Sequence, residues 1–208
     1  MPDAPDLDSA YALQTPEDNR ALYARWARTY DTDFAAGMDY RLPQIVALTL
    51  VDLAPEGPIL DVGAGTGLVA QALAPHLPLE IDALDISAQM LDVAMGKGLY
   101  AGAIEADLTG PLDIADGIYG AVVSSGTFTH GHVGPDALDA LLRIARPGAQ
   151  FVLAVNAAHY EARGFAAKFA ALASGIAHLQ MRETAIYGPD TDAPHARDTA
   201  QIVTFQKR

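Results

Sequence analysis

Residues 59–68 read Ile59-Leu60-Asp61-Val62-Gly63-Ala64-Gly65-Thr66-Gly67-Leu68. An apolar run carrying one acid is followed by three glycines at alternate positions, then by a helical pattern through Val69, Ala72 and Leu73. This is the pattern of a short buried strand that turns sharply into a helix. Glycine suits such a turn because it takes positive φ and, lacking Cβ, lets another molecule approach the backbone. The helix N-terminus beyond it offers unpaired N–H groups and a partial positive charge, so a carboxylate or phosphate is at home there. Spacing discriminates among the known glycine loops. The dinucleotide fingerprint is G-x-G-x-x-G, whereas here the third glycine comes one residue early and Leu68 stands where that fingerprint wants glycine. The Lys-Ser/Thr pair of a phosphate loop is missing as well. A bare strand-to-helix turn without a ligand is the alternative reading.

Working outward, the chain alternates strands with helices. Ile81 to Leu84 reads as a second strand, and Ser87 caps a helix carrying Met90, Leu91 and Ala94. Tyr100 to Ala106 reads as a third strand, Tyr119 to Ser124 as a fourth, and Pro135 to Ala145 as a helix. Pro147-Gly148 then turns into the β-rich run Phe151 to Val155, followed by a helix around Glu161 to Ser174. Two final strands, near Leu179 to Tyr187 and Ala200 to Gln206, follow one another with no helix between them. Strands separated by helices imply βαβ units and a parallel sheet covered on both faces. The expected fold class is α/β: a Rossmann-like three-layer sandwich with a mostly parallel seven-stranded sheet, one antiparallel edge strand and an N-terminal helical cap. The N-terminal part reads as a loose acidic arm over residues 1–16 and a helical cap over 17–54, before the main domain at 55–208. Within the cap, Leu22, Tyr23, Trp26 and Tyr30 share a helical spacing, with Thr15 and Pro16 as cap and first-turn pair.

Two further acids extend the loop pattern. Asp85 ends the second strand about 20 residues beyond the glycines, the offset at which a carboxylate meets ribose hydroxyls and repels a 2′-phosphate. Asp107 ends the third strand in Glu-Ala-Asp-Leu. In an open parallel sheet, such strand ends line the ligand crevice. An exposed strand-end acid for Asp85, and a capping acid before Gly110-Pro111 for Asp107, are the plainer alternatives.

With Asp61 two residues before the first glycine, the motif Asp-x-Gly-x-Gly-x-Gly resembles that of the class I S-adenosylmethionine-dependent methyltransferases. The resemblance implies S-adenosylmethionine as cofactor, with S-adenosylhomocysteine as product. It places Asp61, Gly63, Ala64, Gly65, Thr66 and Gly67 on the cofactor, with Asp85 on the ribose and Asp107 and Leu108 against the adenine. Ile86 and Met90 are positioned to cover that ring, and Ser124, where the fourth strand ends, to meet the methionyl part. Arg146-Pro147-Gly148 matches the family's turn before the fifth strand. The run Trp26-Ala27-Arg28-Thr29-Tyr30-Asp31, with Gly37 and Tyr40-Arg41 after it, is similar to small methyltransferases of the Williams–Beuren syndrome region type. In such enzymes the Tyr-Asp segment closes over the sulfonium, which makes Tyr30 a candidate cofactor contact; core packing of an amphipathic helix is the alternative. No Asn/Asp-Pro-Pro-aromatic tetrapeptide and no Pro-Cys follow the fourth strand, as nucleobase amino and cytosine C5 chemistry would need.

The expected reaction is methyl transfer to a small-molecule O, N or C nucleophile by in-line displacement. A nucleophile that arrives protonated needs a base, and the loop Thr127-Phe128-Thr129-His130-Gly131-His132 offers His130 and His132 as candidate catalytic groups. A structural hydrogen-bonding role is the alternative for both. A metal site in which Asp136 or Asp107 joins His130 and His132 is a weaker alternative, because a His-x-His pair without a placed third ligand is little evidence, and none is assigned. An adenosylmethionine-binding protein without turnover, or a nicotinamide-dependent oxidoreductase, are the competing functions.

Composition narrows the partners. The 208 residues carry a net charge of −13 and no cysteine. Clustered Lys and Arg draw nucleic acids and anionic membranes, and no such cluster occurs, so neither partner is expected. The acidic start lacks the basic, apolar pattern of a signal peptide, and no run has the length of a membrane helix. A cytoplasmic protein acting as monomer or homodimer on a small molecule is the expectation.

Overall fold

The structure is a computed structural model that describes residues 13, 15–130, 132–191 and 195–208. All but the last positions of the arm expected over residues 1–16 lie outside the described residues, as does Gly131. One sheet is built from β1 (Ile59–Val62), β2 (Ile81–Asp85), β3 (Gly102–Glu105), β4 (Tyr119–Phe128), β5 (Ala145–Asn156), β6 (Ile176–Ala185) and β7 (Thr199–Lys207). Its order is β3-β2-β1-β4-β5-β7-β6. The first five strands are mutually parallel, and β7 pairs antiparallel with both β5 and β6. The antiparallel strand therefore lies one place in from the edge: the final hairpin folds back so that β7 fills the gap between β5 and β6.

Strand alternation sorts the core into two layers. Ile59, Ala121, Val123, Val152 and Ala154 face α2 (Leu42–Asp52), α3 (Leu68–Leu73) and α4 (Ala88–Gly96). Leu60, Val62, Val122, Leu153 and Val155 face α5 (Ala137–Ile144) and α7 (Phe165–Ala171), with α6 (Ala157–Ala162) at the end of β5. Helices on both faces of a mostly parallel sheet make the α/β Rossmann-like sandwich. Helix α2 was expected as part of the cap, yet its Val46, Ala47 and Leu50 are fully buried against the sheet. Its buried residues Leu42, Pro43, Val46, Ala47 and Leu50 recur at helical spacing and form one apolar face laid on the sheet, with Gln44 and Leu48 exposed on the other side.

Helix α1 (Pro16–Trp26) and a π-helical segment, Tyr30–Ala36, form the N-terminal cap beside the carboxyl ends of the strands. Thr15 and Asp18 form a reciprocal capping box at the start of α1, with Pro16 in its first turn. Leu22 and Trp26 of α1 pack with Met90 of α4, which fixes the helix over the crevice. Because β1 is flanked by β2 on one side and β4 on the other, the crevice opens between β1 and β4, where the strand order reverses. Among the described residues, no helix is long and apolar enough to cross a membrane.

Candidate active site

The glycine loop is tied to the end of β2 by bonds from the Gly63 and Ala64 N–H groups to the Leu84 carbonyl, at 2.7 and 3.0 Å. Gly63 has φ +66°, and a Cβ there would overlap Oγ1 of Thr127, whose hydroxyl donates to the Val62 carbonyl at 2.9 Å. Gly65 has φ +53° for a different reason: a Cβ would meet nothing within 4 Å, because this residue faces open space. The Gly65 N–H donates to Asp85 Oδ2 at 2.8 Å, and the Ser87 N–H donates to Asp85 Oδ1 at 2.9 Å. Burial pushes the Asp85 carboxyl above its ordinary range, and these backbone donors pull it back. A carboxylate has about four acceptor sites, so Asp85 keeps capacity for hydroxyl groups of a ligand.

That open space is a cavity of about 390 Å³. Gly63, Ala64, Gly65 and Thr66 line it, with Asp85, Ile86 and Met90 from the β2–α4 corner and Asp107 and Leu108 beyond β3. Tyr30 lines it from the π-helical segment, and Pro16, Asn19 and Tyr23 from the start of the cap. Asp107 also makes its capping turn, accepting from the Thr109 N–H and hydroxyl at 2.8 and 2.7 Å.

Three expected residues stand elsewhere. Ser124 is fully buried on the other face of β4, and its neighbour Ser125 meets the cavity instead. Successive strand residues point to opposite faces, which turns Ser125 and not Ser124 towards the cavity. Gly67 lies against the Tyr100 ring, which a Cβ would meet at 2.9 Å. Asp61 sits beneath the loop, fully buried, accepting from the Tyr100 hydroxyl at 2.7 Å through Oδ2, while its Oδ1 has no hydrogen-bond partner.

Burial drives the Asp61 carboxyl up to about 7, with the Tyr100 hydroxyl opposing and the charge of Asp85 adding to the rise. A carboxyl raised on folding stabilises the fold fully below its ordinary value near 4 and loses that stabilisation as pH climbs towards 7. The ligand-free protein is therefore expected to lose on the order of a few kcal/mol over this window. Asp61→Asn, which still accepts from Tyr100, should flatten this part of the curve in urea melts from pH 4.5 to 7.5. Parallel curves for the two proteins would refute the assignment.

Asp31, at the start of the π-helical segment, accepts from the Thr66 hydroxyl of the glycine loop and from Lys97 Nζ at 2.6 Å. This clamp joins the cap, the loop and the end of α4, and it was not evident in the sequence because the three residues are far apart in the chain. Tyr40 was quoted only for its neighbourhood; its hydroxyl donates to the Ser125 carbonyl at 3.0 Å.

A second cavity of about 60 Å³ adjoins the first. Tyr23, Tyr30, Tyr40, Ser125, Gly126 and His132 line both, so these residues frame the opening between them. His132 Nδ1 lies 2.6 Å from the His130 carbonyl, which can only accept, so Nδ1 carries the proton. Nε2 is left with its lone pair towards the Tyr23 hydroxyl at 3.2 Å. Burial lowers the His132 imidazole to about 4, the bond to the His130 carbonyl opposing and the nearby His159 and His130 reinforcing the shift. His132 is thus neutral at physiological pH. His130 lines only the second cavity and stands edge-on to His159 with ring centroids 5.9 Å apart. His159 is buried and donates from Nε2 to the Val133 carbonyl at 3.0 Å. Among the described residues, no group of three His, Cys, Asp or Glu is placed to hold a metal ion.

Comparison with known proteins bears on this geometry. Residues 59–148, from β1 to the turn within β5, match the family described as a methyltransferase domain. The human methyltransferase-like protein 27 is 36% identical over 132 residues, covering 61% of this chain. The match spans 53% of that relative, about half its length. In fold, the chain is similar to an S-adenosylmethionine-dependent methyltransferase of Thermotoga maritima, with a TM-score of 0.61 at 15% identity, covering 90% of this chain and 98% of that one. It is similar also to a tRNA methyltransferase of Aquifex aeolicus, with a TM-score of 0.55 at 14% identity, covering 80% and 69% of the two chains. At such identities the likeness shows the fold alone, and one fold serves many acceptors. The domain match over residues 59–148 and the sheet order make this chain similar to S-adenosylmethionine-dependent methyltransferases of the α/β Rossmann-like fold.

Proposed function

We propose that the protein transfers the methyl group of S-adenosylmethionine to a small-molecule acceptor by in-line displacement. The observation that carries this reading is the pair of adjoining cavities with one shared frame: a crevice on the glycine loop and a smaller chamber beyond it. The cofactor, when bound, supplies a methyl group already activated on a sulfonium, so the chain has mainly to align, enclose and manage a proton.

The crevice fits this cofactor by its donor set. Gly65 leaves room at the backbone where a side chain would intrude, and Asp85 presents a buried carboxylate with unused acceptor capacity for the ribose hydroxyls. Ile86, Met90 and Leu108 offer apolar faces for the adenine, and Asp107 an acceptor for its amino group. Gly63, Ala64 and Thr66 approach the methionyl part with Ser125 across from them, while Tyr30 closes the framing wall near the sulfonium. Asp61 and Gly67 shape the loop from below rather than touching the ligand.

On the acceptor side, His132 Nε2 has the lone pair to take a proton, and Tyr23 can pass one to it. His130 borders the chamber as a substrate contact. The net charge of −13 favours a small molecule over nucleic acid. His132→Ala is expected to lower kcat by about 10²- to 10⁴-fold and to leave the Kd for S-adenosylhomocysteine unchanged. Turnover at the native rate would remove His132 as the base. Titration calorimetry with S-adenosylmethionine, S-adenosylhomocysteine and NADH tests the reading as a whole. Binding of the first two and not the third supports it. Binding without release of S-adenosylhomocysteine on any of a broad set of phenols, acids and amines would favour a non-catalytic cofactor-binding protein.

A further inference from the structure

The second cavity carries information about its occupant. Its volume of about 60 Å³ is several times the ~10–15 Å³ that admits one water, room for a small group rather than a fused or branched scaffold. Its walls are aromatic. Phe34 stacks on Tyr30 with centroids 5.0 Å apart, and Tyr40 and Tyr187 stand 5.9 Å apart beside it. Phe128 and Ile186 supply further apolar surface. Flat rings stack or meet edge-on with such walls, each contact adding about 0.5–1.5 kcal/mol beyond the area buried.

Charge is the second constraint. No Asp, Glu, Lys or Arg is among the described residues lining this cavity. A carboxylate or phosphate brought here would be buried without a cation, and an unpaired buried charge is costly. An ammonium would lack a carboxylate partner and would also face the like charge of the sulfonium across the shared frame. A neutral molecule meets neither penalty. At the frame itself, the Tyr23 hydroxyl occupies the His132 Nε2 lone pair, so an O–H donor arriving there reaches that nitrogen through Tyr23.

Resting on the methyl-transfer reading above, we infer that the acceptor is a neutral single-ring phenol, held in the aromatic chamber with its hydroxyl at the Tyr23–His132 pair. The phenolic oxygen forms a C–O bond to the methyl carbon as the S–C bond breaks, with the electron pair of that bond staying on sulfur. The phenolic O–H proton passes to the Tyr23 oxygen as the Tyr23 hydroxyl proton passes to His132 Nε2. The products are the methyl ether, neutral S-adenosylhomocysteine and an imidazolium that releases its proton to solvent.

The test uses the full chain saturated with S-adenosylhomocysteine and three probes of matched size: p-cresol, benzoate and benzylamine. Calorimetry should give p-cresol an affinity at least about tenfold above the other two, and S-adenosylmethionine should convert it to its methyl ether, detected by mass. Phe34→Leu, which removes one stacking face, should weaken p-cresol about fivefold with the S-adenosylhomocysteine Kd unchanged. Equal or tighter binding of benzoate or benzylamine overturns the inference, as does binding of none of the three by protein that holds S-adenosylhomocysteine. Failure to bind S-adenosylhomocysteine at all is a distinct result, which instead overturns the proposed function.

Discussion

Gly65→Val is expected to lower S-adenosylmethionine affinity by more than about 100-fold while the protein stays folded. In free energy that is about 2.8 kcal/mol at 1.4 kcal/mol per tenfold. Gly65 lines the crevice at φ +53°, and its missing side chain faces open space rather than protein. A valine there projects its methyl groups into the volume the ligand needs. The cost to the fold is the left-handed backbone of a β-branched residue, about 1–2 kcal/mol. For a chain of this length that corresponds to a fall in Tm of under about 8 °C. Gly63→Ala should behave in the opposite sense. Its Cβ would collide with Thr127 and disturb the Thr127–Val62 hydrogen bond, so stability suffers first. Calorimetry and thermal melts on both variants separate the two roles; a Gly65→Val protein that binds within about threefold of native would sink the placement of the ligand on this loop.

Asp85→Ala is expected to weaken cofactor binding by about 10²- to 10⁴-fold. Two ribose hydroxyls donating to a charged acceptor are worth about 1.5–3 kcal/mol each, and non-additivity places the combined loss within that span. The substitution also strips the acceptor from the Gly65 and Ser87 N–H groups, so some stability should go with it. Asp85→Asn isolates the ligand contribution, because the amide keeps one oxygen as acceptor and should give an intermediate affinity. Since burial raises the Asp85 carboxyl, native affinity should weaken as pH falls and this group protonates, a trend the Asn variant should lack. Calorimetry across pH on the native and Asn proteins checks this, and equal Kd values for native and Asp85→Ala would refute the ribose contact.

Much of the fold was legible because its signals are local. The run Ile59–Val62, the cap Ser87 and the β-rich run before Asn156 each declare an element within a few residues, and alternation of strands and helices then dictates a parallel sheet. Helix α2 was placed in the wrong layer because periodicity tells which residues are apolar and not which surface they cover. Ser124 shows the same limit at finer scale: a strand assignment without a side leaves two adjacent serines equivalent until the sheet has faces. Asp61 was read as a ligand contact from its place in the motif, and burial beneath Tyr100 reveals it as a support for the loop.

Glycine spacing and the acids at successive strand ends are properties of the chain read in order, and they sufficed to determine the α/β class and the place of the glycine-lined crevice. The frame between the two cavities is of another kind. It gathers Tyr23 and Tyr30 from the cap, Tyr40 from the turn before α2, Ser125 from β4 and His132 from the loop after it. The neutral, Nδ1-protonated state of His132 and the raised carboxyl of Asp61 depend on what surrounds them. Desolvation and hydrogen bonding act over a few ångströms of space rather than along the sequence, so only the tertiary structure decided them.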